Sequence, residues 1–253
     1  MTAPRPRVVV SAQMSLDGRI TLRRDHLLMT SPRIWASLRP PGADAVEAAR
    51  TAQLALQQPT AVLEGSGSLV PSTAGPLFGA SPASPALYED FVIPAAKWFT
   101  VVDRRGRVRW TMTENDGYHL LVLVSPTTPA GYLSYLREEK ISYLVGEDLR
   151  EALEKMRSRL GVSCVVSNAG GGVNGALLRA GLVDEVQVVI YPALIGGAGT
   201  PTLFDGDPLA PGEMPASLRL LATHATADGT VWLRYEVLQV DEDLPYGVAE
   251  EDG

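Results

Sequence analysis

The chain has 253 residues, a formal net charge of −7, 45% hydrophobic and 20% charged residues. This is the make-up of a globular protein with a sizeable core, and its acidic balance excludes an extended nucleic-acid face, which needs a basic surface. A single cysteine, Cys164, excludes an internal disulfide and a cysteine-rich metal site.

Residues 1–7 lack the apolar core of a signal peptide. The longest apolar runs, such as 120–124, are strand-sized and too short to cross a bilayer. A cytoplasmic protein with no membrane or nucleic-acid partner is therefore expected.

In chain order, residues 8–15 read as a buried strand closed by the Asp17-Gly18 turn pair. Residues 43–58 are alanine-rich and read as a helix. A short strand over 60–64 runs into the turn Gly65-Ser66-Gly67-Ser68, and the Pro/Ser/Gly-rich stretch 71–85 reads as a loop. Strands over 98–103 and 120–124 follow, the first ending in Arg104-Arg105-Gly106. A helix over 129–140 leads to a strand over 141–145. Leu149, Leu153, Met156 and Leu160 are spaced for a helix that Gly161 stops.

The next segment carries the strongest local signal. A strand over 162–167 meets Gly170-Gly171-Gly172 and a helix from about Asn174 to Ala180. Glycine lets a ligand approach the backbone, and the free N–H groups of a helix start point at an anion. The spacing is not the GxGxxG dinucleotide fingerprint, so the turn is equally readable as structural. Gly65–Ser68 also follows a strand, and two such turns at strand C-termini can flank one ligand. A strand over 183–191, then a pair over 218–224 and 231–238 joined at Ala227-Asp228-Gly229, complete the pattern. Alternating strands and helices imply a mainly parallel sheet covered on both faces. One domain over 1–240 is expected, with a disordered acidic tail over 241–253.

Four motifs occur in order: SLDGRI (15–20), VVDRRGR (101–107), GGGVNGALLRAGLVDE (170–185) and PALIGG (192–197). Together they resemble the reductase domain of the bifunctional riboflavin deaminase–reductases and their stand-alone relatives in the dihydrofolate-reductase-like superfamily. The resemblance spans roughly residues 7–240 and implies a mixed, mainly parallel α/β sheet with helices on both faces and a C-terminal antiparallel hairpin. It also implies NADPH as hydride donor, a homodimer, and reduction of the ribosyl group of an aminopyrimidine ribose 5-phosphate.

On the cofactor side, the resemblance assigns Gly170, Gly171, Gly172, Val173, Asn174 and Gly175 to the pyrophosphate turn and helix start. Gly65, Ser66 and Gly67 form the second turn, and Ser68 stands where the family has a cofactor-binding threonine. Met14 matches the position whose backbone lies against the nicotinamide. Arg104 follows the VVD strand on the adenosine side, where an arginine could grip a 2′-phosphate; Arg104 and Arg105 read equally well as a solvated turn. On the substrate side it assigns Ser15, Asp17 and Arg19 to the rim of the pyrimidine pocket, Thr30 and Ser31 to the substrate phosphate, and Arg33 to phosphate or plain surface. Asp-Gly is also a turn pair, and Thr30-Ser31-Pro32 also fits helix capping.

Two departures stand out. Ala169 replaces the family's usual glutamate, and Leu69-Val70-Pro71-Ser72-Thr73 lacks its usual aspartate. Removing carboxylates that bind a substrate's N–H groups should change what is bound. Glu64 either restores a carboxylate or is a solvated strand end, the latter being the expectation. Residues 87–94, LYEDFVIP, read as a lid or dimer contact. No residue stands out as the catalytic proton donor. Three readings stay open: the pyrimidine reductase, an NADPH reductase of another heterocycle such as a pterin, and a nucleotide-binding protein without turnover.

Overall fold

The structure, a computed structural model, describes residues 4–24, 26, 32–79 and 84–238. Thr30, Ser31 and the 241–253 tail lie outside the described residues.

Among the described residues, ten strands join one sheet: β1 (Arg7–Ser15), β2 (Ala61–Gly65), β3 (Trp98–Val102), β4 (Glu114–Asn115), β5 (Tyr118–Val124), β6 (Ser142–Val145), β7 (Cys164–Ser167), β8 (Glu185–Tyr191), β9 (Leu218–Ala225) and β10 (Val231–Val237). The spatial order is β4-β5-β3-β2-β7-β1-β8-β10-β9, with β6 beside β5. From β6 to β8 the pairs are parallel, while β10 runs antiparallel to β8 and β9. The expected mainly parallel sheet with its closing hairpin is thus present. The two-residue β4, paired with β5 through Glu114 and His119, gave no periodic signal because it is too short to show one.

The helices are α1 (Pro32–Ala36), α2 (Ala43–Ala55), α3 (Ala130–Glu138), α4 (Leu149–Leu160) and α5 (Gly171–Arg179). Side chains alternate across each strand, and the alternation sorts the core. Val8, Val10, Leu63, Leu121 and Val188 pack under Leu153 and Met156 of α4 and Leu177 of α5. On the other face, Leu120 and Val122 pack under Leu133 and Leu136 of α3, and Val189 and Tyr191 under Ala43 and Val46 of α2. α4 has clear ends: the Asp148 carboxylate accepts from the Glu151 N–H at 2.9 Å, and Gly161 closes it at φ 68°.

Two expected boundaries differ in a way that matters. α2 stops at Ala55 and its chain exits through Gln58 at φ 47°. α5 starts at Gly171, three residues before the expected Asn174, so the glycine run is the helix's own first turn. The 87–94 segment is not a lid over a cavity. Phe91 bridges to Tyr143 of β6, the Tyr143 hydroxyl donates to the Leu87 carbonyl at 2.7 Å, and the Asp90 carboxylate accepts from the Val145 N–H at 2.9 Å, so the segment dresses the β6 edge.

Candidate active site

The strands β3, β2 and β7 lie side by side, and their C-terminal loops converge. Asp103–Arg107 follows β3, Gly65–Ser68 follows β2, and Asn168–Gly172 follows β7. A 460 Å³ cavity opens over these ends, lined by both glycine turns, by Val173 and by Arg24, Arg104, Arg105 and Arg107. Ligands of open α/β sheets sit at this position. A 320 Å³ pocket adjoins it, lined by Ser11, Gln13, Trp35, Arg50, Asn168 and Ala169. Ile20, Ser68 and Gly170 line both hollows and mark their common boundary. A larger hollow of 530 Å³ lies over β2, β3 and β5 beside Phe99 and Trp110, but neither glycine turn lines it.

The glycines divide by role. A Cβ on Gly171 or Gly175 would collide with the backbone carbonyls of Thr202 and Asp205, so these two let α5 press against that segment. A Cβ on Gly67, Gly170 or Gly172 would meet nothing within 4 Å. Gly170 caps α5 without a side-chain bond, and its carbonyl accepts from Val173 and Asn174. The Gly171 and Gly172 N–H groups thus have no acceptor among the described residues. Such unsatisfied N–H groups at a helix start form an anion site.

The arginines are set differently. Arg104 is exposed, and its guanidinium donates to the Glu147 carbonyl at 2.8 Å. Arg105 lines the cavity with no hydrogen bond or ion pair among the described residues. Arg107 is 7% exposed, donates to the Ser66 hydroxyl at 2.7 Å, and takes its backbone geometry from Asp103, which accepts from its N–H at 2.7 Å. Burial and the neighbouring Arg105 charge lower the Arg107 pKa, and Asp103 opposes both. In the smaller pocket Arg50 pairs with Glu47 at 2.7 Å and bonds the Ser11 hydroxyl. Gln13 donates to Glu47 at 2.6 Å and accepts from the Trp35 indole at 3.2 Å.

Gly65–Ser68, Arg104 and Gly170–Val173 are therefore brought to one cavity. Asn174 is fully buried behind it, its amide donating to the Ala169 carbonyl at 2.7 Å and accepting from the Ser167 hydroxyl at 2.8 Å. Met14 packs against the core and pairs with Ile190 in the sheet. Ser15, Asp17 and Arg19 form a polar knot. The Ser15 hydroxyl donates to Asp17 at 2.6 Å, and Arg19 donates to the Thr200 carbonyl at 2.7 Å. None of these three lines either hollow, and Arg33 is exposed on α1.

Glu64 is a correction. It is not a solvated strand end: it is 8% exposed, and its carboxylate accepts from the Ser68 hydroxyl at 3.2 Å. Burial pushes its pKa up to about 7, against the pull of Ser68 and the Gly65 N–H. Gln13, Trp35, Arg50, Arg24, Arg105 and Arg107 are among the lining residues that the sequence motifs leave without a site role. Ser11, Gln13 and Ser15 alternate as polar positions after the apolar run of Val8, Val9 and Val10 in β1, a pattern that marks one face as functional or solvated.

Sheet order, closing hairpin and helix placement define the class, a dihydrofolate-reductase-like α/β protein. The model of the RibD C-terminal domain matches residues 6–233, and the chain belongs to that family. It is similar to the 2,5-diamino-6-ribosylamino-4(3H)-pyrimidinone 5′-phosphate reductases of Methanothermobacter thermautotrophicus, 32% identical over 109 residues, and Archaeoglobus fulgidus, 34% over 110 residues. Each match covers 42% of this chain and 49% or 50% of the relative, so the chain matches about half the length of these curated relatives. Among solved structures, Acinetobacter baumannii RibD superposes with a TM-score of 0.61 at 21% identity, over 92% of this chain and 58% of that one. A pyrimidine reductase-like protein from Corynebacterium diphtheriae gives 0.62 at 16% identity, over 93% of both chains.

Proposed function

We propose that the chain is an NADPH-dependent oxidoreductase that reduces the ribosyl group of an aminopyrimidine ribose 5-phosphate. One observation carries the reading: a glycine-lined, arginine-rimmed cavity adjoins a smaller polar pocket across Ser68 and Gly170. Family membership and the names of the curated relatives agree with it.

The residues fit the cofactor. The Gly171 and Gly172 N–H groups would hold a pyrophosphate, and the empty space beside Gly67, Gly170 and Gly172 leaves room for it. Arg105, with Arg24 on the same rim, would take a 2′-phosphate, the group that distinguishes NADPH from NADH. The bound cofactor supplies hydride chemistry. Ser68, at the boundary, orients whatever groups meet there. Trp35 offers a flat apolar wall and Gln13 and Arg50 offer polar anchors to the acceptor molecule.

Ala169 lines the smaller pocket where the family's usual glutamate would stand. That favours a second reading in which the acceptor is a different heterocycle. A homodimer belongs to the proposal as well. The edge strand β9 exposes Leu218, Leu220 and Leu221, and long apolar edge strands are normally covered.

The test is a fluorescence titration of the purified protein with NADPH and NADH, followed by addition of the aminopyrimidine ribosylamino phosphate while nicotinamide absorbance is recorded. Tighter NADPH binding with oxidation is expected. NADPH binding without oxidation favours the second acceptor, and absence of binding to either nucleotide overturns the reading.

A further inference from the structure

The smaller pocket lacks both carboxylates expected of it, yet an acidic side chain lies beside it. Glu64 is the last residue before the first glycine turn, and its carboxylate is within hydrogen-bond distance of the Ser68 hydroxyl, at 3.2 Å. Ser68 itself lines both hollows. The pair therefore connects a buried proton-binding group to the boundary where two bound molecules would meet.

We propose that Glu64 acts through the Ser68 hydroxyl as the proton-holding positioning residue of this centre, in place of the carboxylates missing at Ala169 and in 69–73. The inference rests on the reductase reading above. Reduction of the acceptor needs a proton as well as a hydride. Protonated Glu64 donates to Ser68 Oγ, which frees the hydroxyl hydrogen to point across the boundary. When the Ser68 proton passes to the nitrogen or oxygen of the bond being reduced, Glu64 replaces it at Oγ. Glu64 is then left ionised, and water returns its proton. With Glu64 ionised, the hydroxyl hydrogen turns inward to the carboxylate and only lone pairs face the ligand.

The surroundings suit this role. Among the described residues no cation pairs with Glu64. On the loop after β3, Asp103 engages Arg107 and Val108, Arg107 engages Ser66, Arg104 reaches the Glu147 carbonyl, and Arg105 faces the glycine-lined cavity. Lys97, just before β3, lies over the Tyr118 ring. On α2, Arg50 and Glu47 pair with each other. On α5, Arg179 pairs with Glu213. Burial thus outweighs local attraction, and the proton is retained to about pH 7.

The experiment has two readouts on wild type, E64Q, S68A and the double variant. Infrared difference spectra of the unliganded protein, wild type minus E64Q, should show a protonated carboxyl band that disappears with a midpoint near pH 7. The turnover number for NADPH oxidation with the aminopyrimidine ribosylamino phosphate should fall about 100-fold in E64Q and lose its inflection near pH 7. S68A should match that loss, the double variant should lose no more, and NADPH affinity in E64Q should stay within about twofold, since positioning acts after binding. A Glu64 band already ionised at pH 6, an unchanged pH profile in E64Q, or losses that multiply in the double variant each overturn the inference while leaving the reductase reading intact. Wild-type protein that neither binds nor oxidises NADPH overturns both.

Discussion

The Asp17 carboxylate accepts the backbone N–H of Gly196 at 2.6 Å and of Ile195 at 3.1 Å, joining the SLDGRI turn to the PALIGG loop. Two motifs far apart in sequence are thus one structural unit. The Ser15 hydroxyl, then Gly196 and Ile195, hold the Asp17 carboxyl down to about 2. A carboxylate whose pKa falls on folding stabilises the fold above its unfolded value, and that contribution is lost as pH falls through the folded value. D17N should therefore lower the melting temperature by a few degrees at pH 7, and the difference should shrink towards zero as pH falls through about 2. Equal melting at pH 7 would show that the two loops hold together without it.

Glu64 has the opposite sign. Its carboxyl is raised on folding, so the folded state binds its proton more tightly than the unfolded state does. Folding is fully favoured below the unfolded value near 4.5, and stability is lost as pH rises through about 7. E64Q should match wild type near pH 4.5 and exceed it at pH 8 by on the order of 2–3 kcal/mol. Urea denaturation at both pH values measures this, and a wild type at least as stable as E64Q at pH 8 contradicts it.

Much of the fold is legible because its elements are long and periodic. α4 is an example: four apolar residues at helical spacing ended by a glycine give both of its boundaries. The site is legible only in part. Gly65–Ser68 and Gly170–Val173 announce themselves through composition. Glu64 and Arg50 do not, because a charged residue near a strand end or on a helix reads as solvated until tertiary packing covers it. Asp17 shows the converse. Its motif attracts a ligand-binding role, while its carboxylate is engaged in a tertiary tie to the Ile195 and Gly196 N–H groups that no local turn signal shows. Arg104 and Arg105 are adjacent and both line the cavity, and only their placement in space separates one bonded to the Glu147 carbonyl from one with no bonded partner among the described residues.

That separation yields a specificity prediction. If Arg105 takes the 2′-phosphate, R105A should weaken NADPH binding about 10-fold, the usual scale of one charge-assisted contact, and leave NADH binding unchanged. R104A should alter either nucleotide by less than about threefold, because its guanidinium is turned to a backbone carbonyl. Parallel fluorescence titrations decide it. An equal loss for NADH in R105A would place that arginine against a part common to both cofactors.

Glu185 tests the sheet's opposite side. Its carboxylate is fully buried between Arg234 at 2.6 Å and Arg7 at 2.8 Å, with Gln187 at 2.7 Å. Burial opposes its ionisation, but the bonds from Arg234, Arg7 and Gln187 prevail and hold its pKa below the usual range. Removing one member of such a cluster leaves charge without compensation, at about 3–5 kcal/mol. E185A should therefore destabilise the protein by that amount in urea without altering the NADPH affinity of the fraction that remains folded. A loss under about 1 kcal/mol would mean that water replaces the carboxylate.

The two classes of glycine in α5 separate folding from binding. Gly175 meets the Asp205 carbonyl so closely that an added methyl must displace the helix or that segment. G175A should cost about 2 kcal/mol or more, the usual range for overpacking, and shift α5 as a body. Gly172 sits one turn earlier, and a methyl there meets nothing within 4 Å. G172A should keep or slightly raise stability, since alanine is the better helix former. Its methyl should instead occupy space beside the free N–H groups and weaken NADPH binding by about 10-fold or more. Melting curves and nucleotide titrations on the two variants should therefore give opposite patterns. If G172A binds NADPH as wild type does, the pyrophosphate lies elsewhere and the glycine run serves only the packing of α5.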